Sequence, residues 1–140
     1  MIIRDIMHSA TVIHPEATVS EAAKLMRKKD IGSLLVKIND KTWGMVTERD
    51  MLNKVVADDL DPRKIRIDDI MTDLLYTVEA NQPIETATEI FNSHHIRRLP
   101  VVEDGRIVGI ITSRDVAQRW VFTQFRKRVE YSRMSGTHIR

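Results

Sequence analysis

There is no cysteine among the 140 residues, so disulfides, thiolate catalysis and paired-cysteine zinc sites are excluded together. Glycine is scarce too. The five glycines form neither Gly-x-x-x-x-Gly-Lys-Ser/Thr nor Gly-x-Gly-x-x-Gly, so the phosphate-cradling loops of triphosphatases and dinucleotide enzymes are missing and nucleotide turnover is not expected. His8, His14 and His138 have no HExxH or comparable ligand spacing. The adjacent His94 and His95 would leave a helix in different directions and read as solvated helix-end residues, so no metal site is expected. No apolar run approaches the roughly 18 residues that span a bilayer. The opening Met1-Ile2-Ile3-Arg4-Asp5 has neither the basic start nor the apolar middle of a secretory signal, so no membrane partner is expected and the cytoplasm is the expected location.

What is present is an ordinary globular composition, 42% apolar and 30% charged, of a length that makes one compact domain or two closely packed halves. The net charge of +2 is unevenly placed. From Val116 onward Arg119, Arg126, Lys127, Arg128, Arg133 and Arg140 face Glu130 alone, a net +5, which leaves −3 for the body before it. Any argument for nucleic-acid binding rests on that tail.

The chain repeats itself. Ile6-Met7 recurs as Ile70-Met71 at an offset of 64, and thereafter the offset is 65. Val19, Ala22, Met26, Ile31, Leu34, Val36, Gly44, Thr47, Arg49 and Asp50 align with Ile84, Ala87, Phe91, Ile96, Leu99, Val101, Gly109, Thr112, Arg114 and Asp115. One inserted residue in the loop before Tyr76 reconciles the two offsets. A unit of about 50 residues buries little core alone, so two such units are expected to pack through their sheets about a pseudo-twofold axis.

Both copies give the same local reading. A short extended segment at Thr11 to His14 precedes Thr18-Val19-Ser20-Glu21, a Thr-x-x-Glu capping box, and an apolar stripe at positions 19, 22, 23 and 26 predicts a helix ending near Gly32. Its twin runs from Pro83 to about His94, proline standing where its missing N–H costs little. Strand, turn and strand follow at Leu34 to Val46 and at Leu99 to Ile111, then a second helix at Asp50 to Ala57 and from Asp115 onward. The class is therefore α+β, two β-α-β-β-α repeats at 1–57 and 70–121 joined by a linker at 58–69, with a basic extension at 122–140. In that extension Trp120, Val121, Phe125 and Val129 form an apolar stripe that wants a partner surface. The methionines at 26, 45, 51 and 71 fall within apolar stripes and read as core.

The sharpest chemical signal is also duplicated: Gly44-Met45-Val46-Thr47-Glu48-Arg49-Asp50 and Gly109-Ile110-Ile111-Thr112-Ser113-Arg114-Asp115. Each sets a hydroxyl and a carboxylate three residues apart where a strand becomes a helix. A helix cap by itself accounts for that pattern in one copy, although a cap also tolerates Ser, Asn or Glu. A carboxylate there can also accept from both hydroxyls of a ribose, while the helix start favours a phosphate, so capping and ligation can coexist.

Gly-h-h-Thr-x-x-Asp (h, apolar) closing each unit, preceded by Asp-Ile-Met and, in the second copy, by Leu-Pro-Val, resembles the cystathionine-β-synthase (CBS) domain pair from residue 3 to about 118. The resemblance implies a disc-like regulatory module with two clefts that take AMP, ADP, ATP or another adenosyl ligand, and no catalysis. By the same resemblance cleft A joins Met45, Thr47 and Asp50 to Thr72, Tyr76, Arg97 and Arg98, and cleft B joins Ile110, Thr112 and Asp115 to His8, Thr11, Ile31 and Ser33. Arg97-Arg98 stand where the first copy has Gly32-Ser33, so cleft A is expected to be the better phosphate site. Leu35 departs from the family in replacing the proline that the second copy keeps at Pro100. A homodimer and a regulated protein partner are the expected assemblies. The alternative left open is a basic nucleic-acid-binding protein whose repeats only dimerise the tails.

Overall fold

The structure, a computed structural model, describes residues 1–74 and 76–136. Leu75, beside the expected insertion, and His138 and Arg140 of the basic extension lie outside the described residues. The chain forms two compact units: Ala10–Leu75, called the first unit, and Met1–Ser9 with Tyr76–Arg140, called the second.

In the first unit the elements are β1 (Val12–Ile13), α1 (Val19–Lys29), β2 (Ser33–Lys37), β3 (Trp43–Thr47), α2 (Glu48–Met51) and β4 (Thr72–Asp73). The sheet order is β1-β2-β3-β4, with β1 parallel to β2 and the other pairs antiparallel. In the second unit β5 (Val78–Glu79), α3 (Ile84–His94), β6 (Arg98–Glu103), β7 (Arg106–Thr112) and α4 (Ser113–Ser135) give the order β5-β6-β7, with β5 parallel to β6 and β7 antiparallel. The expected β-α-β-β-α succession and α+β class are those of the structure.

Each unit takes its opening turn from the other copy of the repeat. Ile3 N–H and Arg4 N–H donate to Gln82 O and Ala80 O in the second unit, while Ile67 N–H and Asp68 N–H donate to Ala17 O and Pro15 O in the first. Burial explains the attachment, because Ile3 and Ile67 are both fully buried, each in the hydrophobic cluster of the unit it joins. The two clusters are built at matching positions. Ala22, Met26, Leu34, Val36 and Val46 of the first have Ala87, Phe91, Leu99, Val101 and Ile111 as counterparts in the second.

The capping box at α1 forms as the spacing predicts: Thr18 Oγ1 accepts from Glu21 N–H at 3.1 Å and Glu21 Oε2 accepts from Thr18 N–H at 3.2 Å. Thr18→Ala is expected to cost about 1 kcal/mol, read as a lower urea midpoint at unchanged slope. The helix stops before Gly32, at Lys29, because Asp30 takes the left-handed conformation (φ 53°) and the chain turns so that Ile31 N–H reaches Met26 O. His95 (φ 53°) and Ile96 repeat this geometry after α3.

The two second helices differ. The one expected over Asp50 to Ala57 begins at Glu48 and widens at Leu52–Val56, where Ala57 N–H donates to Leu52 O five residues back. The other, α4, continues without a break through the stretch from Phe122 that reads as an addition to the repeat. Trp120, Val121 and Phe125 are all more than half exposed on it. Among the described residues no helix is long and apolar enough to cross a membrane.

The replacement at Leu35 also has a local reason. Leu35 N–H donates to Thr11 O at 2.9 Å, extending the β1–β2 pairing back to Val12, whereas Pro100 has no N–H and the β5–β6 pairing starts at Val78.

Candidate functional site

Two candidate half-sites, one in each unit, are built on the same backbone plan. In the first unit β3 runs into α2 at Thr47, which caps the helix: its Oγ1 accepts from Asp50 N–H at 3.3 Å, and Asp50 Oδ2 accepts from Thr47 N–H at 2.9 Å and from Thr47 Oγ1 at 3.1 Å. In the second unit Thr112 caps α4, with Asp115 N–H donating to Thr112 Oγ1 at 3.1 Å and Thr112 N–H to Asp115 Oδ2 at 2.8 Å. Both Thr-Asp pairs are therefore capping boxes, and each leaves its carboxylate one further oxygen.

The glycine three residues before each threonine has a steric origin. A Cβ on Gly44 would lie 2.8 Å from Met71 Sδ and 3.2 Å from Thr72 O, and one on Gly109 would lie 2.6 Å from His8 O and 2.9 Å from Met7 Sδ. The Ile-Met pairs that announce the repeat thus run alongside the strands that carry the site. Met45 stands opposite Thr72, and Ile110 opposite His8. Those contacts bring Thr72 beside β3 in the first unit and His8 beside β7 in the second.

The carboxylates differ in their cationic company. Asp50 Oδ1 is 3.2 Å from Lys54 Nζ, which also donates to Ile70 O at 2.8 Å. Asp115 Oδ2 instead lies 2.6 Å from His8 Nε2, which implies a proton on that nitrogen. Asp115 Oδ1 accepts no hydrogen bond among the described residues. The Asp50 and Asp115 side chains are 15% and 10% exposed. Beside Asp115 an open depression of about 320 Å³ is lined by Ile6, His8, Asp115, Gln118, Arg119 and Phe122.

Of the residues assigned to cleft A, Met45, Thr47, Asp50 and Thr72 come together in the first unit, while Tyr76, Arg97 and Arg98 belong to the second. Of those assigned to cleft B, His8, Ile110, Thr112 and Asp115 come together in the second unit, while Thr11, Ile31 and Ser33 belong to the first. Within their own units Ser33 pairs with Thr47, and Arg98 with Thr112. Ser113 N–H donates to Arg97 O at 2.9 Å, so both arginines start their strand beside the Thr112 cap. Tyr76 stacks on His94 with ring centroids 3.9 Å apart, and His95 is the left-handed residue that ends α3. Among the described residues no group of three or more His, Asp or Glu is placed to hold a metal ion.

Lys54, Gln118, Arg119 and Phe122 escape a reading of motifs. The repeat carries a signal for two of them: Lys54 and Arg119 are 65 residues apart, each four after its aspartate, and both are cationic.

A family model for the CBS domain matches residues 3–57 and 67–121. Hypoxic response protein 1 of Mycobacterium tuberculosis is 37% identical over 117 residues, 82% of this chain and 82% of that protein. Among solved structures, the hexameric CBS-CP12 protein from bloom-forming cyanobacteria superposes with a TM-score of 0.80 at 28% identity, covering 97% of this chain and 85% of that one. The CBS domain pair of protein MJ0100, solved in complex with 5′-methylthioadenosine and S-adenosyl-L-methionine, gives a TM-score of 0.76 at 27% identity, covering 88% and 98%.

Proposed function

This chain belongs to the CBS domain family, and from that premise we propose that it is a regulatory module that senses an adenine nucleotide, AMP, ADP or ATP, and does no chemistry of its own. The observation that carries the reading is the pair of capping boxes in which each aspartate satisfies the helix start with Oδ2, leaving Asp115 Oδ1 without a hydrogen bond among the described residues and Asp50 Oδ1 beside Lys54 Nζ alone. A ribose presents two hydroxyl donors to such an oxygen, and the adjoining helix start favours the phosphate end of the same molecule. The methylthioadenosine and S-adenosylmethionine held by the MJ0100 pair support an adenosyl ligand. Met45, Thr47, Asp50 and Thr72 supply one half-site, for which we take Arg97 and Arg98 as guanidinium donors to phosphate and Tyr76 as a further ligand contact. His8, Ile110, Thr112 and Asp115 supply the other, with Thr11, Ile31 and Ser33.

Binding acts by differential affinity: a nucleotide that prefers one arrangement of the module shifts its population, and a homodimer partner or a regulated protein reads the result. Asp50 and Asp115 are each engaged by their own helix start, which argues against either carboxylate serving as a general base.

The test is a thermal-shift series with AMP, ATP, S-adenosylmethionine and a duplex oligonucleotide. AMP at about a hundred times its Kd is expected to add about 2.7 kcal/mol of stability. The Arg97→Ala, Arg98→Ala double variant is expected to bind AMP about tenfold more weakly by calorimetry, the loss of roughly one charge-assisted bond. The second reading draws on α4, where exposed Arg126, Lys127 and Arg128 neighbour exposed Trp120, Phe122 and Phe125. Stabilisation by the oligonucleotide alone, abolished by added salt, would replace the nucleotide sensor with a nucleic-acid-binding protein.

A further inference from the structure

The duplication supplies an internal comparison. Four residues after each site aspartate, one helical turn and about 6 Å of rise further on, stands a cation. In the first unit Lys54 has two partners, Asp50 Oδ1 at 3.2 Å and Ile70 O at 2.8 Å. In the second unit the equivalent Arg119 makes neither contact. His8 has taken the place beside Asp115, and Arg119 Nε is buried without a hydrogen-bond partner among the described residues. Its guanidinium carbon lies 5.7 Å from the Phe122 ring centroid, a cation-π contact that fixes the side chain along one wall of the depression beside Asp115.

A buried guanidinium N–H with no acceptor is costly and rare in native folds. A modest turn that brings the Nε–Nη edge into the depression satisfies it if an anion is there, because that edge offers two parallel N–H groups to two oxygens of one phosphate. Asp115, whose Oδ1 accepts no hydrogen bond among the described residues, and His8 line the same depression. A ligand that fits therefore carries hydroxyl donors at one end and an anion about one helical turn away, which matches the separation between the ribose diol and the 5′-phosphate of a nucleotide.

We infer that Arg119 is the phosphate-binding residue of the second unit's half-site, so that this half-site prefers 5′-phosphorylated adenosine ligands to uncharged ones. The inference rests on the adenosyl reading and adds the residue that recognises the phosphate and the class of ligand it selects. In the first unit Lys54, held between Asp50 and the Ile70 carbonyl, does not play this part.

Calorimetric titration of AMP and of adenosine into the full chain, its Arg119→Ala variant and its Arg128→Ala variant tests it. Arg128 is exposed on the same helix and matches the change in charge. Arg119→Ala is expected to weaken AMP tenfold or more while leaving adenosine within twofold, and Arg128→Ala to leave both within twofold. An equal loss for both ligands in Arg119→Ala, or a loss for neither, overturns the assignment while the adenosyl reading stands. A parent protein that binds neither AMP nor adenosine brings down the adenosyl reading itself, and this assignment with it.

Discussion

Gly109→Ala lowers the unfolding free energy by about 3 kcal/mol in urea denaturation, the upper end of the range for overpacking a tight contact, while Gly44→Ala costs about 1 kcal/mol. The two positions are equivalent in the repeat and differ in what an added methyl meets. At Gly109 the nearest atom is the backbone oxygen of His8 at 2.6 Å, held in place by the reciprocal hydrogen bonds between His8 and Ile110 at 3.0 and 2.9 Å. That segment can give way only by breaking the pairing. At Gly44 the nearest atom is Met71 Sδ at 2.8 Å, on a side chain with rotamers to spare, and the backbone oxygen of Thr72 is 3.2 Å away. Gly109→Ala also carries His8 away from Asp115, so it is expected to impair nucleotide binding. Equal costs at the two sites, or a greater cost at Gly44, would remove the steric account of why this glycine is duplicated.

The double variant Asp50→Asn, Asp115→Asn is expected to bind AMP on the order of 100-fold more weakly, yet to unfold within about 1 kcal/mol of the parent. Asparagine keeps one carbonyl oxygen and so can still accept from Thr47 N–H or Thr112 N–H, the bonds that start α2 and α4. It replaces the second acceptor with an NH2 group, which cannot receive a ribose hydroxyl's proton. Lys54 loses an ion pair on a half-exposed surface, a small term. Stability and affinity thus separate the two roles of one side chain. A variant that loses stability and keeps its affinity would show that both aspartates are caps and nothing more.

Much of the fold is legible along the chain because its determinants are local. The Thr-x-x-Glu box at Thr18, the apolar stripe of α1 and the proline before α3 each act within one or two turns, and each produced the expected element. Boundaries slipped where backbone geometry outweighs residue type. The left-handed residues that end α1 and α3 are Asp30 and His95 where glycine is the usual marker, and nothing short of the folded backbone distinguishes the widened turn at Leu52–Val56 from ordinary helix. The unbroken run of α4 past Phe122 likewise follows from the absence of any stop signal before Gly136, a weaker cue than the end of a repeat.

By itself, then, the order of residues determined the duplicated α+β unit, its core positions and the two Thr-Asp pairs, since spacing of three or four residues is enough to put a cap on a helix or a stripe on one face. Only the tertiary structure decided which opening turn completes which unit, that His8 and Asp115, which the family resemblance placed in one cleft, hydrogen-bond directly across 107 positions of chain, that a backbone oxygen presses on Gly109, and that Arg119 is left without the partner its twin Lys54 enjoys. Such contacts depend on which distant segments burial brings side by side, and no local spacing encodes that.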